Sequence, residues 1–262
     1  MELQRSLPEL AEEGIVPLAV SYDEPAVLAG FARDHGIEYP LLADQGSEVI
    51  RRYGILNAEI DPGDEHYGIP VPGSYLVGSD GRVEQKLFHR SHRVREAGAA
   101  LIRRVGGRAA PDSWPSASSA SGEVAVRATL EARCLRVGQV VDLVVRLEPA
   151  PGLHLYGRPA PEGLYPTTVT VASTSPLRIG EARYPPTEPY RVRGLGRDLP
   201  AFVGEIEIVV PLVSEIPDST VPIDVEVRYQ ACSESECLLP RTERLRLNAP
   251  ARGLVPGRPR PA

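Results

Sequence analysis

Three cysteines, at positions 134, 232 and 237, are the side chains of this 262-residue sequence whose type and spacing most directly suggest chemistry. Cys232 and Cys237 stand close together in YQACSESECLLP. Upstream, Ile223, Val225 and Val227 share one face of a predicted strand, and downstream Leu245 and Leu247 share one face of another. The pair therefore falls on the connection between two strands, and a connection that short brings the α-carbons within the roughly 4.4–6.8 Å of a disulfide. Closing a loop of about six residues contributes roughly 2 kcal/mol in the chain-entropy description. Spacing alone leaves two readings open, a static staple or an exchanging dithiol. Glu234 and Glu236 lie between the sulfurs and disfavour a thiolate, while Arg228 and Arg241 flank the loop and act in the opposite sense.

Cys134, in EARCLRVGQVV, has no neighbouring base or sulfur in the sequence and reads as an incidental thiol. Three cysteines are too few for a disulfide scaffold and wrongly grouped for a four-ligand zinc site. His35, His66, His89 and His92 show no ligand spacing, so no metal or other cofactor is expected. A net charge of −6, with Lys and Arg scattered along the chain, argues against nucleic acid as a partner. No apolar run reaches the length of a membrane span, and the first residues lack the basic and apolar regions of a signal peptide.

These residues need elements to hold them, and the length suits two domains. Over about the first 105 residues helical and strand patterns alternate. MELQRSLPELAEEG reads as a helix stopped by Gly14, and IVPLAVS as a strand. Asp23 is placed to cap a helix that starts near Pro25 and runs toward Gly36. A short buried run at 40–43, a helix over about Ser47–Tyr53 and a strand at 74–79 follow, and Asp80-Gly81 turns the chain back into VEQKLF. A last helix is expected over about Arg93–Val105.

Residues 106–122, GGRAAPDSWPSASSASG, read as a linker, being too rich in small residues and proline to bury much surface. From 123 to 248 the pattern is almost wholly period two: VAVRATLEA, QVVDLVVRLEP, TTVTVAS, GEIEIVVPLV, IDVEVRY and ERLRLN. That is the signature of an antiparallel sandwich. A Pro/Arg-rich tail, 249–262, completes the chain.

YQACSESECLLP resembles the redox motif of the N-terminal periplasmic domain of the DsbD thiol:disulfide interchange proteins. PGLHLYGRPAPEGLYPTTVTV and YPPTEPYRVRGLGRDLPAFVGEIEI extend the resemblance over about 123–248. It implies an immunoglobulin-like sandwich in which Cys232 and Cys237 are the exchanging thiols and thioredoxin-like proteins are the partners, through mixed disulfides. It also implies that Tyr156 and the Tyr190 region lie near the pair and control access to it. The best-known members have one more residue between the cysteines.

LAVSYDEP, YPLLAD, YGI and PGSYLVGSDGRV resemble the AhpC/TSA redoxins of the thioredoxin superfamily. The resemblance implies an α/β thioredoxin-like fold that is N-terminally incomplete, the strand and cysteine loop of the family falling before Met1, and residues 1–105 contain no cysteine. An incomplete sheet of this kind would make residues 1–105 marginally stable on their own. Pro72 resembles the family's cis proline at the edge where partner thiols dock. Together the resemblances imply a thiol–disulfide oxidoreductase component in a periplasmic or other extracytoplasmic compartment. Two alternatives stay open: a non-catalytic binding sandwich with a structural disulfide, and a peroxiredoxin-like antioxidant protein in a full-length form.

Overall fold

The computed structural model describes residues 2–88, 95–96, 113–120, 122–160, 162–191, 198–217 and 219–253. The chain divides into two compact units, with the division in sequence at about residue 108.

In the first unit α1 (Glu2–Arg5) and α2 (Leu7–Glu12) replace the single helix expected, and Gly14 ends the second in a left-handed conformation. β1 (Ala19–Ser21), α3 (Pro25–His35), β2 (Leu41–Ala43) and α4 (Glu48–Arg52) follow. β1 and β2 pair in parallel around α3, the crossover expected of an α/β fold. β3 (Gly73–Val77) and β4 (Val83–Phe88) form the antiparallel hairpin turned by Asp80-Gly81.

Three expectations need correction here. The N-cap of α3 is Glu24 rather than Asp23, because the Asp23 carboxylate is occupied by the Ser21 hydroxyl and no side chain caps the helix. The peptide before Pro72 is trans; the Val71 amide donates to the Ile55 carbonyl at 2.6 Å, and Pro70 bridges Leu56, so the lead into β3 is held extended. The helix expected over Arg93–Val105 lies mostly outside the described residues, and β5 (Arg95–Glu96) within it is extended.

The second unit is built from strands. β6 (Ser116–Ala120), β7 (Val124–Leu130), β8 (Leu135–Arg136) and β9 (Gln139–Pro149) come first. β10 (His154–Tyr156), β11 (Thr168–Ala172), β12 (Leu177–Ile179), β13 (Glu188–Arg191) and β14 (Asp198–Val203) follow. β15 (Ile206–Ser214), β16 (Ser219–Tyr229), β17 (Ala231–Cys232) and β18 (Arg241–Arg252) complete it. One sheet runs β12-β15-β9-β7-β6 and another β11-β16-β18-β8.

Period two becomes burial directly. Val141, Leu143, Val145 and Leu147 on β9, Ile206, Ile208, Val210 and Leu212 on β15, and Val221, Ile223, Val225 and Val227 on β16 are all buried. Asp142, on the opposite face of β9 from this apolar set, is also buried and is paired with Arg183 at 3.0 Å, which offsets the desolvation of its charge. Two boundaries differ from the sequence reading. Ser116–Ala120, within the stretch read as linker, pairs antiparallel with β7, since small residues serve as well as large ones on an edge strand whose contribution is its backbone. β18 likewise runs through residues assigned to the tail, pairing as far as Ala251 with Ser219.

The two units differ sharply in core. Leu10, Leu28 and Ile50 are the buried hydrophobic residues of the first among those described, and Val20 and Leu42 on its paired strands stay exposed. Limited proteolysis of the folded chain is therefore expected to cut first within residues 1–88 and to leave a resistant fragment containing β6–β18; initial cleavage inside β7–β18 would contradict this. Leu143→Ala in the sandwich is expected to cost about 2–5 kcal/mol by urea denaturation, because Leu143 is completely buried and its truncation leaves a cavity in the core.

Candidate redox site

The long β16–β18 ladder ends at the Tyr229–Arg241 pair, and the residues between form an excursion that carries both cysteines. Gln230 holds its base. Its side-chain carbonyl accepts the Tyr165 amide at 3.0 Å, and its amide nitrogen donates to the Leu238 carbonyl at 3.0 Å. Within the excursion the Leu238 amide donates to the Ala231 carbonyl, and the Ser233 amide to the Glu236 carbonyl, so the chain reverses over Glu234 and Ser235. The Ser233 hydroxyl accepts the amides of Ser235 and Glu236, an arrangement that serine favours in tight turns. Cys232 and Cys237 thus face each other as an antiparallel bridge and form a disulfide with the α-carbons 4.0 Å apart. This lies just below the range expected from spacing, and the two residues form a non-hydrogen-bonded antiparallel pair, the closer of the two kinds.

The two sulfurs have different surroundings. Cys232 belongs to β17, which adds to the sheet β13-β14-β10-β17, with His154 opposite Cys232 and Leu155 opposite Ala231. It is completely buried, in a cluster with Tyr156, Leu199 and Ala201 against which Tyr190 and Leu164 pack. Cys237, on the returning arm, is exposed. The structure therefore places Tyr156 in the cluster around Cys232, with Tyr190 packed against that cluster. Pro72 belongs to the first unit. Cys134, half-buried just before β8, takes no part in a disulfide. Arg241 is engaged by Glu123 at 3.0 Å, so its charge does not act on the sulfurs alone.

His154 is the site residue that sequence reasoning missed. It is 1% exposed, and neither ring nitrogen has a hydrogen-bond partner among the described residues. Its ring lies 4.0 Å from that of Tyr190, tilted by 30°, and 5.1 Å from Tyr156, edge to face. Burial pushes the imidazole below its ordinary pKa; burial, followed by the charge of Tyr190, pushes the Tyr156 hydroxyl up. The available signal was the period of two in HLY, which puts His154 on the same face as Tyr156. A histidine in an apolar strand gave no reason by itself to look there.

Residues 1–86 match the AhpC/TSA family, and residues 124–249 match the N-terminal domain of the thiol:disulfide interchange protein DsbD. The chain joins a redoxin segment to a DsbD N-terminal domain. Among curated proteins it is 28% identical over 81 residues to thiol-disulfide oxidoreductase ResA of Bacillus thuringiensis, the match covering 30% of this chain and 39% of that protein. Among solved structures it is similar to the N-terminal periplasmic domain of ScsB from Proteus mirabilis, with 20% identity, a TM-score of 0.36, and 48% and 47% of the two chains covered. It is also similar to the complex of the DsbD and PilB N-terminal domains from Neisseria meningitidis, with 15% identity, a TM-score of 0.30, and 40% and 73% covered. The chain thus spans about two fifths of the ResA relative's length. No helix among the described residues is long and apolar enough to cross a membrane.

Two outcomes follow for the DsbD N-terminal domain. Gln230→Ala removes both hydrogen bonds at the base of the excursion and is expected to cost roughly 1–3 kcal/mol in chemical denaturation, by leaving the Tyr165 amide and Leu238 carbonyl unpaired. His154, with its folded pKa depressed, favours the native state fully above its unfolded pKa of about 6.5. As pH falls below that value the unfolded chain takes up a proton that the native site resists, and stability is lost until the native pKa is passed. Denaturation between pH 7 and pH 5 should therefore show a steeper loss in the wild type than in His154→Phe, and parallel curves would contradict it.

Proposed function

We propose that the DsbD N-terminal domain of this chain is a thiol–disulfide exchange module that passes electrons through Cys232 and Cys237 to or from thioredoxin-like partners. The observation that carries this reading is the asymmetry of the bridge, one cysteine exposed at a hairpin tip and the other buried in the sheet. A static staple gains nothing from that division, whereas exchange needs one sulfur that a partner reaches and one that is protected until it resolves the intermediate.

In the reducing direction for this chain, a partner thiolate attacks Sγ of Cys237. The Cys232–Cys237 bond breaks, its electron pair leaves on Sγ of Cys232, and a mixed disulfide joins Cys237 to the partner. The partner's second thiolate then attacks its own sulfur in that bond and releases Cys237. The partner's sulfurs are oxidised to a disulfide and those of Cys232 and Cys237 are reduced, two electrons passing in all; the reverse sequence oxidises this chain. Tyr156 and Tyr190, packed about Cys232, limit access to it, and Pro72 is the candidate docking residue of the redoxin segment. An extracytoplasmic compartment suits a disulfide that must persist yet exchange. The resemblance to periplasmic domains supports that location.

Residues 1–133 contain no cysteine, so the peroxidase reading does not act through a thiol of theirs. The exchange and structural-bridge readings are separated by the reduction potential of the pair. Equilibration with glutathione or thioredoxin buffers is expected to give a value above about −300 mV, whereas a lower one would mark a structural bridge. Cys232→Ala, which leaves the exposed cysteine free, should trap a mixed disulfide with a thioredoxin-like protein, detected by non-reducing electrophoresis. Cys237→Ala should trap far less.

A further inference from the structure

Buried polar groups are normally hydrogen-bonded, and each exception calls for a reason. His154 is such an exception: a fully buried imidazole with both nitrogens unpartnered among the described residues. Apolar residues of similar size would fill the same place without the desolvation cost. The register gives the reason. His154 lies directly opposite Cys232 in the β10–β17 ladder, and directly opposed residues in an antiparallel pair project from the same face with β-carbons about 4.5–5.5 Å apart. The register therefore puts the imidazole on the same face of the sheet as the buried cysteine, one strand away.

We infer that His154 is the proton acceptor and donor for the Cys232 thiol, a role that rests on the exchange reading above. In the disulfide form the imidazole has nothing to exchange a proton with, which accounts for its empty nitrogens. Once Cys237 is joined to a partner, Cys232 carries a thiol. The neutral imidazole takes the proton from Sγ of Cys232, and the resulting thiolate attacks Sγ of Cys237. The Cys232–Cys237 bond forms, the bond from Cys237 to the partner breaks, and the partner sulfur leaves with the electron pair. The proton held on His154 balances that thiolate and is released to solvent or to the departing sulfur. In the opposite direction the neutral imidazole first takes the proton of the attacking partner thiol, or one from solvent, and the imidazolium passes it to the Cys232 thiolate as it leaves. Depression of the imidazole pKa by burial keeps the ring neutral at pH 7, the form that can accept a proton.

The other titratable groups on the strands about His154 are few. Tyr156 shares β10, Tyr190 and exposed Glu188 lie on β13, and exposed Asp198 lies on β14, 4.0 Å from Arg191. Glu234 and Glu236 stand exposed on the hairpin beyond Cys232. Cys232 is the group directly opposed to His154 on β17, and Val203 the one directly opposed on β14.

Two measurements on the full chain test this. In the first, the imidazole resonances of His154 are followed by NMR across pH in the oxidised and the dithiothreitol-reduced protein. The expected result is an imidazole pKa that rises on reduction, because a thiolate beside the ring favours the imidazolium; an unchanged pKa overturns the proposal. In the second, the Cys237→Ala chain isolates Cys232, whose thiolate is titrated by ultraviolet absorbance with His154 present and with His154→Phe. Removing the imidazole is expected to cut the thiolate fraction at pH 7 about tenfold. His154→Gln, which donates a hydrogen bond but cannot take up a proton, should show the same loss, and retention of the full thiolate fraction in both variants overturns the proposal. Should the phenylalanine chain fail to fold, the wild-type NMR titration decides. Failure of the wild-type pair to exchange with thioredoxin would defeat the exchange reading instead, a result these two titrations do not depend on.

Discussion

The site depends on one short piece of backbone pairing, that of Ala231 and Cys232 with Leu155 and His154. Two residues of ladder fix Cys232 into the β13-β14-β10-β17 sheet, and the tight reversal over Glu234 and Ser235 then returns Cys237 to face it. Had the β16–β18 hairpin simply closed, both cysteines would have stood on a solvated turn with equivalent surroundings. Because the excursion is instead captured by a second sheet, one sulfur is enclosed by Tyr156, Leu199 and Ala201 while the other is left at the surface.

The sandwich supplies what this pairing needs. Eleven consecutive register pairs between β16 and β18 fix the two points from which the excursion leaves and returns. Gln230 closes its base by binding the Tyr165 amide and the Leu238 carbonyl together. A core of alternating valine, leucine and isoleucine on β9, β15 and β16 makes that frame stiff, so the local geometry at the disulfide is inherited from packing well away from it. β10 joins the two parts: Tyr156 on one of its faces meets the cysteine cluster, and Leu155, of opposite parity, is also buried.

Much of this was legible in the sequence. The period of two over β7, β9, β15, β16 and β18 follows from burying one face of each strand, and it identified those strands directly. The position of the cysteines between two strands was equally readable. What escaped was tertiary. β6 has no apolar alternation because an edge strand of serine and alanine contributes backbone pairing rather than side-chain burial. The trans peptide before Pro72 is likewise something no local pattern reveals. His154 was overlooked because its significance lies in the residue opposite it on a strand more than seventy positions later.

The central claim is that the sheet divides the two sulfurs into one that a partner reaches and one that it does not. Reducing the chain and alkylating it briefly with iodoacetamide at several pH values, with the labelled sites counted by mass spectrometry, measures that division directly. The account predicts that Cys237 is modified much faster than Cys232 and that truncating the covering ring, in Tyr190→Ala, narrows the difference. Equal modification of Cys232 and Cys237 in the wild-type chain would contradict it.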